Sequence, residues 1–512
     1  MLHLVATASA ALLLIVCIIG AAATAWSSFP TVRGRARLDV AVLALLFIGA
    51  LSARLGLLTP HHLMYVDEPW YLEAARNLVA RHGLVLCEET PAGSECRPYE
   101  KAVGWPLLLA GVFVLTGPSA SAAFATSAVV GALCVPLAAI AALLGRGTWY
   151  HAVLAALVLA VHPLHALWSV TAETNAAATA FVLAGLIGAV VYGRDPGWAS
   201  ALLCAGGLGF AAAMRPELSL AAVPPLLWII AKRRGAPSQR LTIAGAAVLG
   251  MLSVPLTWGL YVSNSGGAFL SGDNLRTNLV SVVSDAKGGH LTLAVVLAAC
   301  LGAAATVRRG APDLAAFLGG AGVLIALAVL AYDPRIFYAR NLLGATVALA
   351  PLAALALPLR WPALGCGIAG AAAVYVASSS WPAVSGLTET QQLENALPAR
   401  IAALTLPADA LVLAEWPTIV RAGADIPTMA TSRALPQLDG LVAQRPVFLV
   451  CDMFCEPGFS GTGASACRQV LERFALDEVT ATELHVRRYG LYRLRPRRAG
   501  DPTSPPCPLV VR

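Results

Sequence analysis

Charged residues are scarce in this 512-residue chain: Asp, Glu, Lys and Arg together make up 12% of it, whereas 58% of the residues are hydrophobic. The mean hydropathy is +0.72. Because a soluble globular protein carries about 25% charged residues, this scarcity excludes that class and predicts a polytopic membrane protein. The net charge of +7 does not indicate nucleic-acid binding, since the Lys and Arg residues form short clusters between apolar runs.

Three other features are missing. The sequence has no internal repeat and no glycine-rich phosphate loop, which argues against a repeat protein and a P-loop nucleotide-binding protein. The first apolar segment, from Leu4 to Trp26, has no charged residue before it. We therefore expect it to be a retained transmembrane helix rather than a cleaved signal peptide.

Twelve apolar segments are long enough, or nearly long enough, to cross a bilayer. They are residues 4–26, 38–58, 120–144, 150–170, 174–192, 198–213, 218–231, 241–262, 291–307, 314–331, 341–359 and 362–378. The segments at 198–213 and 218–231 are short and are separated by Arg215-Pro216-Glu217, which predicts a tight helical hairpin.

A further apolar segment, 102–116, decides the predicted topology, because counting it as a span would move every later loop to the other side. Without it, basic residues such as Arg33, Lys232 and Arg308 all fall on the cytoplasmic side. We therefore predict that this segment lies along the interface or re-enters. The regions predicted to be non-cytoplasmic are the loop 59–101, Glu173, Arg215, the loop 263–290, Arg335 and the C-terminal part of the chain.

The predicted fold class is an all-α polytopic membrane domain of about twelve transmembrane helices with a small C-terminal α/β soluble domain. Residues 1–37 form an extra N-terminal helix and basic loop, and residues 38–380 the membrane domain, with its first outer loop at 59–119. Strands predicted at 411–414, 447–450 and 485–494, with a helix near 468–474, place the α/β domain at 381–494, on the non-cytoplasmic side. The Pro- and Arg-rich tail, 495–512, is predicted to be disordered.

The first outer loop concentrates the carboxylates of an otherwise acid-poor chain. Asp67-Glu68-Pro69 opens a predicted helix that ends before Gly83. Two adjacent carboxylates just outside a span suit a general base acting on a substrate delivered from the membrane, which favours a membrane enzyme. The alternative is that Asp67 is only a helix N-cap.

Cationic residues are the second group of candidates. Lys101 follows Glu100 at the end of the loop and could meet a lipid phosphate, although a snorkelling Lys paired with its neighbour fits as well. Arg215 and Arg335 lie on the outer side against the general charge rule, which favours either an anionic lipid head or intramolecular pairing with Glu217 and with Asp333. Glu173 lies at the predicted start of another helix on the outer side, where we expect it to act as a helix cap or as a structural partner.

The cysteines and histidines of the polar regions suggest structural roles. Cys87 and Cys96 are candidates for a disulfide if their loop faces an oxidising compartment, as is a pair drawn from Cys451, Cys455 and Cys467. A metal site at Cys451 and Cys455 is the less favoured alternative, because no histidine is nearby. The adjacent His61 and His62 are better suited to anchoring at the interface than to sharing one metal ion.

Together these motifs resemble the GT-C superfamily, polytopic glycosyltransferases that use polyprenyl-phosphate sugars, and within it the protein O-mannosyltransferase and aminoarabinose transferase branch. The resemblance covers residues 38 to 360. It rests on the residues of the first outer loop and on three later positions: Asp67-Glu68, Tyr71, Ala75-Arg76, Tyr99-Glu100-Lys101, Arg215-Pro216-Glu217, Arg335 to Arg340, and Pro351. Ala102-Val103 follows Glu100-Lys101 where the family commonly has two prolines.

The resemblance implies an inverting transfer of a sugar from a polyprenyl-phosphate donor to a lipid, glycan or protein acceptor on the non-cytoplasmic side of the cell membrane. It implies that Asp67, beside Glu68, is the base, and that Glu100, Tyr71 and Glu173 contact substrate. The residues implied to bind the donor phosphate are Lys101, Arg215, Arg335, Tyr338 and Arg340. No cofactor is strictly required; a divalent metal is compatible, but no second-loop histidine completes its site.

A transporter or flippase of an anionic lipid-linked saccharide is the alternative function, because twelve spans with outer arginines could also bind and move such a lipid. A transporter is expected to carry paired broken helices and ionisable groups at mid-membrane. The predicted spans are nearly free of charge, which favours the enzyme.

Overall fold

The computed structural model describes most of the chain. The described residues are 2–28, 36–58, 67–80, 82–90, 93–252, 272–284, 289–331, 339–358, 362–385, 389–423, 426–455, 462–484, 487–498 and 509–510. Contacts divide the chain into two units. The first comprises Met1–Pro60, Glu100–Leu108 and Phe124–Ser385, and the second comprises His61–Tyr99, Leu109–Ala123 and Gly386–Arg512.

The first unit is built from apolar α-helices. In chain order they are α1 (Leu2–Ser28), α2 (Ala36–Leu57), α4 (Gly104–Thr116, whose second half belongs to the second unit), α5 (Ala120–Leu144), α6 (Trp149–Val161), α7 (Pro163–Trp168), α8 (Thr174–Arg194), α9 (Trp198–Met214), α10 (Val223–Ala231), α11 (Pro237–Leu252), α12 (Gly272–Ser284), α13 (Gly289–Arg308), α14 (Pro312–Leu314), α15 (Gly320–Leu330), α16 (Leu343–Leu355) and α17 (Pro362–Ser385). Among the described residues, six helical stretches are long and apolar enough to cross a bilayer, and six shorter apolar helices accompany them.

Where the structure describes them, the twelve predicted apolar segments fall on helix, but several are interrupted. The segment predicted at 150–170 breaks at His162, because Pro163 cannot donate a backbone hydrogen bond and begins α7 instead. The segment at 218–231 starts as the 3-10 helix Pro216–Ala222, and the segment at 314–331 contains the π turn Ala315–Gly319. Residues 253–262 of the segment at 241–262 lie outside the described residues.

Small residues allow the helix backbones to approach closely. A Cβ atom added to Gly206 of α9 would lie 2.2 Å from the backbone nitrogen of Cys17 on α1. Leu, Ile and Val side chains such as Ile18, Leu45 and Leu301 are more than half exposed on the outer faces of their helices. This pattern of small residues inside and large apolar residues outside is the one expected for helices packed within lipid.

The second unit contains most of the first loop, residues 61–99 and 109–123, and the C-terminal part of the chain. The loop forms α3 (Asp67–Val79) and a hairpin of β1 (Val85–Thr90) and β2 (Gly93–Pro98). Cys87 and Cys96 are directly opposite in the hairpin register and form a disulfide. Cys455 and Cys467 form another disulfide, which uses two of the three cysteines considered for that region and leaves Cys455 no thiolate for a metal.

A mixed sheet organises the C-terminal part, with strand order β4-β3-β5-β7-β6 and β8 paired with β7. Its elements are α18 (Glu389–Ala402), β3 (Leu411–Leu413), α19 (Pro417–Gly423), β4 (Thr428–Met429), α20 (Thr431–Ala434), α21 (Leu438–Gln444), β5 (Val447–Cys451), α22 (Thr462–Arg473), β6 (Phe474–Leu484), β7 (Arg487–Pro496) and β8 (Leu509–Val510). The three predicted strands overlap β3, β5 and β7, and the predicted helix overlaps α22.

The sheet is covered on both faces. Leu411 and Leu413 of β3 pack with residues of α21 and α22 on one face, whereas Val412 packs with residues of α18 and α19 on the other. Because side chains alternate along a strand, a strand buried on both faces reads as a continuous apolar run. This explains why Leu411-Val412-Leu413-Ala414 was detectable from sequence.

Candidate functional site

Asp67 and Glu68 form the first turn of α3 in the second unit. Carboxylates are stabilised there by the positive end of the helix dipole. Glu68 is fully buried, while Asp67 keeps part of its surface exposed. Tyr71 is buried one turn later, with its ring 6.4 Å from that of Tyr99 in an edge-on arrangement. Asp67 is therefore the more accessible of the two predicted catalytic carboxylates.

Within the second unit, α3 is held by a buried carboxylate that the sequence did not single out. Glu73 Oε1 accepts a 2.8 Å hydrogen bond from the Cys87 backbone and lies 3.4 Å from Nε of Arg421. Burial raises the pKa of Glu73, and the Cys87 hydrogen bond and the Arg421 charge offset only part of this effect. Arg76 of the same helix donates a 2.5 Å hydrogen bond to the Arg421 carbonyl.

Glu100 and Lys101 belong to the first unit and lie at its surface, Glu100 exposed and Lys101 partly so. The residues after them are firmly placed. Trp105 is fully buried and donates a 2.7 Å hydrogen bond from Nε1 to the Ala172 carbonyl, and a Cβ atom on Gly104 would lie 2.9 Å from the Ala213 carbonyl. The start of α4 is therefore fixed next to the residues that precede Glu173 and Arg215.

The guanidinium of Arg215 forms hydrogen bonds with three side chains. It donates a 2.5 Å hydrogen bond to Glu217, a short hydrogen bond to Asn175 Oδ1 and a 3.1 Å hydrogen bond to Asn341 Oδ1. The pairing with Glu217 is one of the two readings that the sequence allowed. The role predicted for Arg215 in binding phosphate stays a prediction.

Arg340 is buried and precedes Asn341, which accepts a hydrogen bond from Arg215. Nη1 of Arg340 lies 3.5 Å from Oε1 of Glu173, and the Arg340 guanidinium lies 4.5 Å from the centre of the Trp168 ring. Glu173 occupies the N-cap position of α8 without a side-chain capping bond, which agrees with the reading of a structural partner. We refer to Glu173, Asn175, Arg215, Glu217, Arg340 and Asn341 as the polar cluster.

Two other predicted site residues, Arg335 and Tyr338, lie outside the described residues, as do His61 and His62. Their predicted roles are neither supported nor opposed by the structure. Among the residues that the structure does describe, no group of three His, Cys, Asp or Glu side chains could hold a metal ion.

Sequence reasoning missed a buried cation in a predicted span. Arg54 of α2 is 1% exposed; it donates from Nη2 to Nδ1 of His165 at 2.9 Å and from Nη1 to the Ala50 carbonyl at 2.9 Å. His162 lies nearby in the chain and contacts Thr292 through Nε2 at 3.2 Å. The signal available was a charged residue and two histidines inside apolar segments, where buried polar groups require partners.

The apolar helices and the overall fold define the class of protein to which the chain belongs. It is a multi-pass membrane protein with the GT-C fold, so the predicted resemblance to the GT-C superfamily is confirmed for the fold. No family model matches the sequence. No curated protein matches it either.

Similar solved structures carry that assignment. ArnT from Cupriavidus metallidurans bound to undecaprenyl phosphate matches with a TM-score of 0.56 and 17% identity, covering 90% of this chain and 98% of that chain. The apo form of the Archaeoglobus fulgidus oligosaccharyltransferase matches with a TM-score of 0.51 and 13% identity, covering 91% and 75% of the two chains. The first match leaves 10% of this chain uncovered.

Proposed function

We propose that this chain is an inverting membrane glycosyltransferase that moves a sugar from a polyprenyl-phosphate donor to an acceptor hydroxyl. The observation that carries the proposal is the likeness to ArnT, which was solved with undecaprenyl phosphate bound and is covered over 98% of its length. The motifs of the first outer loop support it independently. Asp67 and Lys101 are the base and the phosphate-binding cation that such a transfer needs.

The chemistry assigned to these residues is a single displacement. Asp67 accepts the proton of the acceptor hydroxyl while the hydroxyl oxygen attacks the anomeric carbon of the donor sugar. The bond between that carbon and the phosphate oxygen breaks, and polyprenyl phosphate leaves with the bonding electron pair. Attack from the face opposite the leaving group inverts the anomeric configuration.

Cationic side chains stabilise the charge that develops on the leaving phosphate. We assign this role to Lys101, with Arg335 and Tyr338, and assign to Glu100 the orientation of Lys101. Arg215 and Arg340 are ion-paired with Glu217 and Glu173. Their proposed contribution is to fix the helix ends beside Lys101, in addition to any contact with phosphate.

We place the active site on the non-cytoplasmic side. Disulfides persist in oxidising compartments, and the Cys87–Cys96 and Cys455–Cys467 bridges both lie in the second unit. The free cysteines among the described residues lie in the apolar helices. Introducing Glu95→Cys on the exposed strand β2 and labelling intact cells with an impermeant maleimide tests this placement; labelling only after lysis would reverse it.

Transfer itself is tested with the purified full chain in detergent and a radiolabelled polyprenyl-phosphate sugar, using the cell-envelope glycan fraction as acceptor. The expected result is a labelled glycan whose new linkage is inverted relative to the donor, as read by NMR. Retention of configuration would exclude the single displacement. Movement of donor across vesicles without any transfer would support the alternative, a transporter or flippase.

A further inference from the structure

The connections that leave the parallel neighbours β3 and β5 of the C-terminal sheet diverge to opposite sides. The chain leaves β3 through α19 and returns as β4 on one side, whereas it leaves β5 through α22 and continues to β6 and β7 on the other side. Residues of α19 and α22 pack on opposite faces of the sheet. In open α/β sheets, ligands bind at the carboxyl ends of two adjacent strands whose connections diverge in this way.

The residues at this point form an aromatic cluster. Trp416 follows β3 and Phe454 follows β5, and their ring centroids are 5.7 Å apart. Trp70 of α3 adds a third ring, 6.4 Å from that of Trp416. Phe454 is buried, whereas Trp70 and Trp416 both keep part of their surface exposed. We call Trp70, Trp416 and Phe454 the aromatic cluster.

One charged residue lies next to each of the two partly exposed indoles. The guanidinium of Arg97 lies 5.5 Å from the centre of the Trp70 ring. Glu415 precedes Trp416, and its two carboxylate oxygens accept hydrogen bonds of 3.4 Å from the backbone N–H and the hydroxyl of Ser432. Flat apolar rings bordered by a carboxylate and a guanidinium match a saccharide, whose C–H face stacks on indole while its hydroxyls bond to charged groups.

The position of Trp70 relates this cluster to the proposed reaction. Asp67 and Trp70 are three residues apart on α3, so their side chains lie on the same face of the helix, one turn apart. A sugar stacked on Trp70 is therefore close to the proposed base. The donor, in contrast, is expected to be recognised through its phosphate and its lipid.

We propose that the aromatic cluster, with Glu415 and Arg97, is the binding site for the acceptor saccharide and presents its hydroxyl to Asp67. The inference rests on the proposed function, since it names the acceptor of the same reaction. It assigns a substrate-binding role to the C-terminal sheet in addition to its role in supporting α3.

The experiment measures transfer to the cell-envelope glycan fraction by the full chain, with donor and glycan varied separately. Trp416→Ala is expected to raise the KM for the glycan roughly five- to tenfold, the scale of one lost aromatic stacking contact, and to leave the KM for the donor unchanged. Trp416→Phe, which keeps a ring, is expected to give a smaller increase. Trp198→Ala serves as the matched control, because Trp198 is 51% exposed and belongs to the first unit.

A binding measurement complements the kinetics. Titrating the glycan fraction without donor is expected to change the tryptophan fluorescence of the unmodified chain, and the change is expected to weaken in Trp416→Ala. If Trp416→Ala lowers the unfolding temperature while glycan KM and the fluorescence change stay as in the unmodified chain, the cluster is structural and the inference is wrong. If the unmodified chain transfers no sugar at all, the proposed function fails instead.

Discussion

The buried carboxylate of Glu73 pairs with the partly buried Arg421, with 3.4 Å between Oε1 and Nε, although 348 positions separate the two residues in the chain. The pair joins α3 to the segment that follows β3, within the second unit. It therefore fixes the helix that begins with Asp67 to the C-terminal sheet.

The Glu73 carboxyl predicts how stability depends on pH. Its pKa is raised above the usual 4.5 by burial, so the folded chain holds this proton more tightly than the unfolded chain. The contribution of this proton to the free energy of unfolding is fully present below pH 4.5. It is lost as the pH rises through the folded-state pKa of Glu73. We expect Glu73→Gln to flatten this decline when unfolding in detergent is followed against pH.

Glu95→Gln is the control for that series, because Glu95 is exposed on β2. It is expected to leave the pH dependence unchanged. An equal flattening in both variants would show that Glu73 is not responsible.

The Asp67→Asn substitution separates the two roles considered for Asp67. Asn caps a helix about as well as Asp, so a capping residue would tolerate this change. A general base would not, and we expect the transfer rate to fall by about a hundredfold or more with the unfolding temperature preserved. Initial rates with saturating donor measure the effect, and full turnover by the variant would remove Asp67 from the mechanism.

Lys101 is expected to act on donor affinity. Losing a charge-assisted hydrogen bond to phosphate should weaken binding of a polyprenyl phosphate about ten- to a hundredfold in Lys101→Ala. Lys101→Arg keeps the positive charge and should lose less affinity for the donor. Lys232→Ala, at an exposed position after α10, is the control, and equal donor affinity in Lys101→Ala and the unmodified chain would contradict the assignment.

The polar cluster predicts a coupled effect on stability. Arg215→Met leaves Glu217, Asn175 and Asn341 without their shared donor, and is expected to destabilise the chain by about 3 kcal/mol. The double variant Arg215→Met/Glu217→Leu should recover part of that loss. Chemical unfolding measures both, with the exposed Arg234→Met as control.

A different outcome would change the role of Arg215. If Arg215→Met unfolds like the unmodified chain but binds polyprenyl phosphate more weakly, the Arg215 guanidinium binds the donor and does not stabilise the fold.

The sequence by itself determined the class of protein and the position of its apolar helices. Long runs without charge can be buried only in a bilayer or a large core, and within the described residues these runs are helical. It also indicated β3, β5 and β7, because short apolar runs between turn residues are characteristic of buried strands. Cys87 and Cys96 could be considered together because both lie in one short polar loop.

Only the tertiary structure decided the partners of the polar side chains. Asn175, Arg215 and Asn341 are far apart in sequence, and no local period relates them, so their hydrogen bonds appear only when the ends of three helices meet. The same holds for Trp70, Trp416 and Phe454, which come from one helix and from the ends of two strands. Local patterns report burial, whereas contacts between distant segments depend on how the whole chain folds.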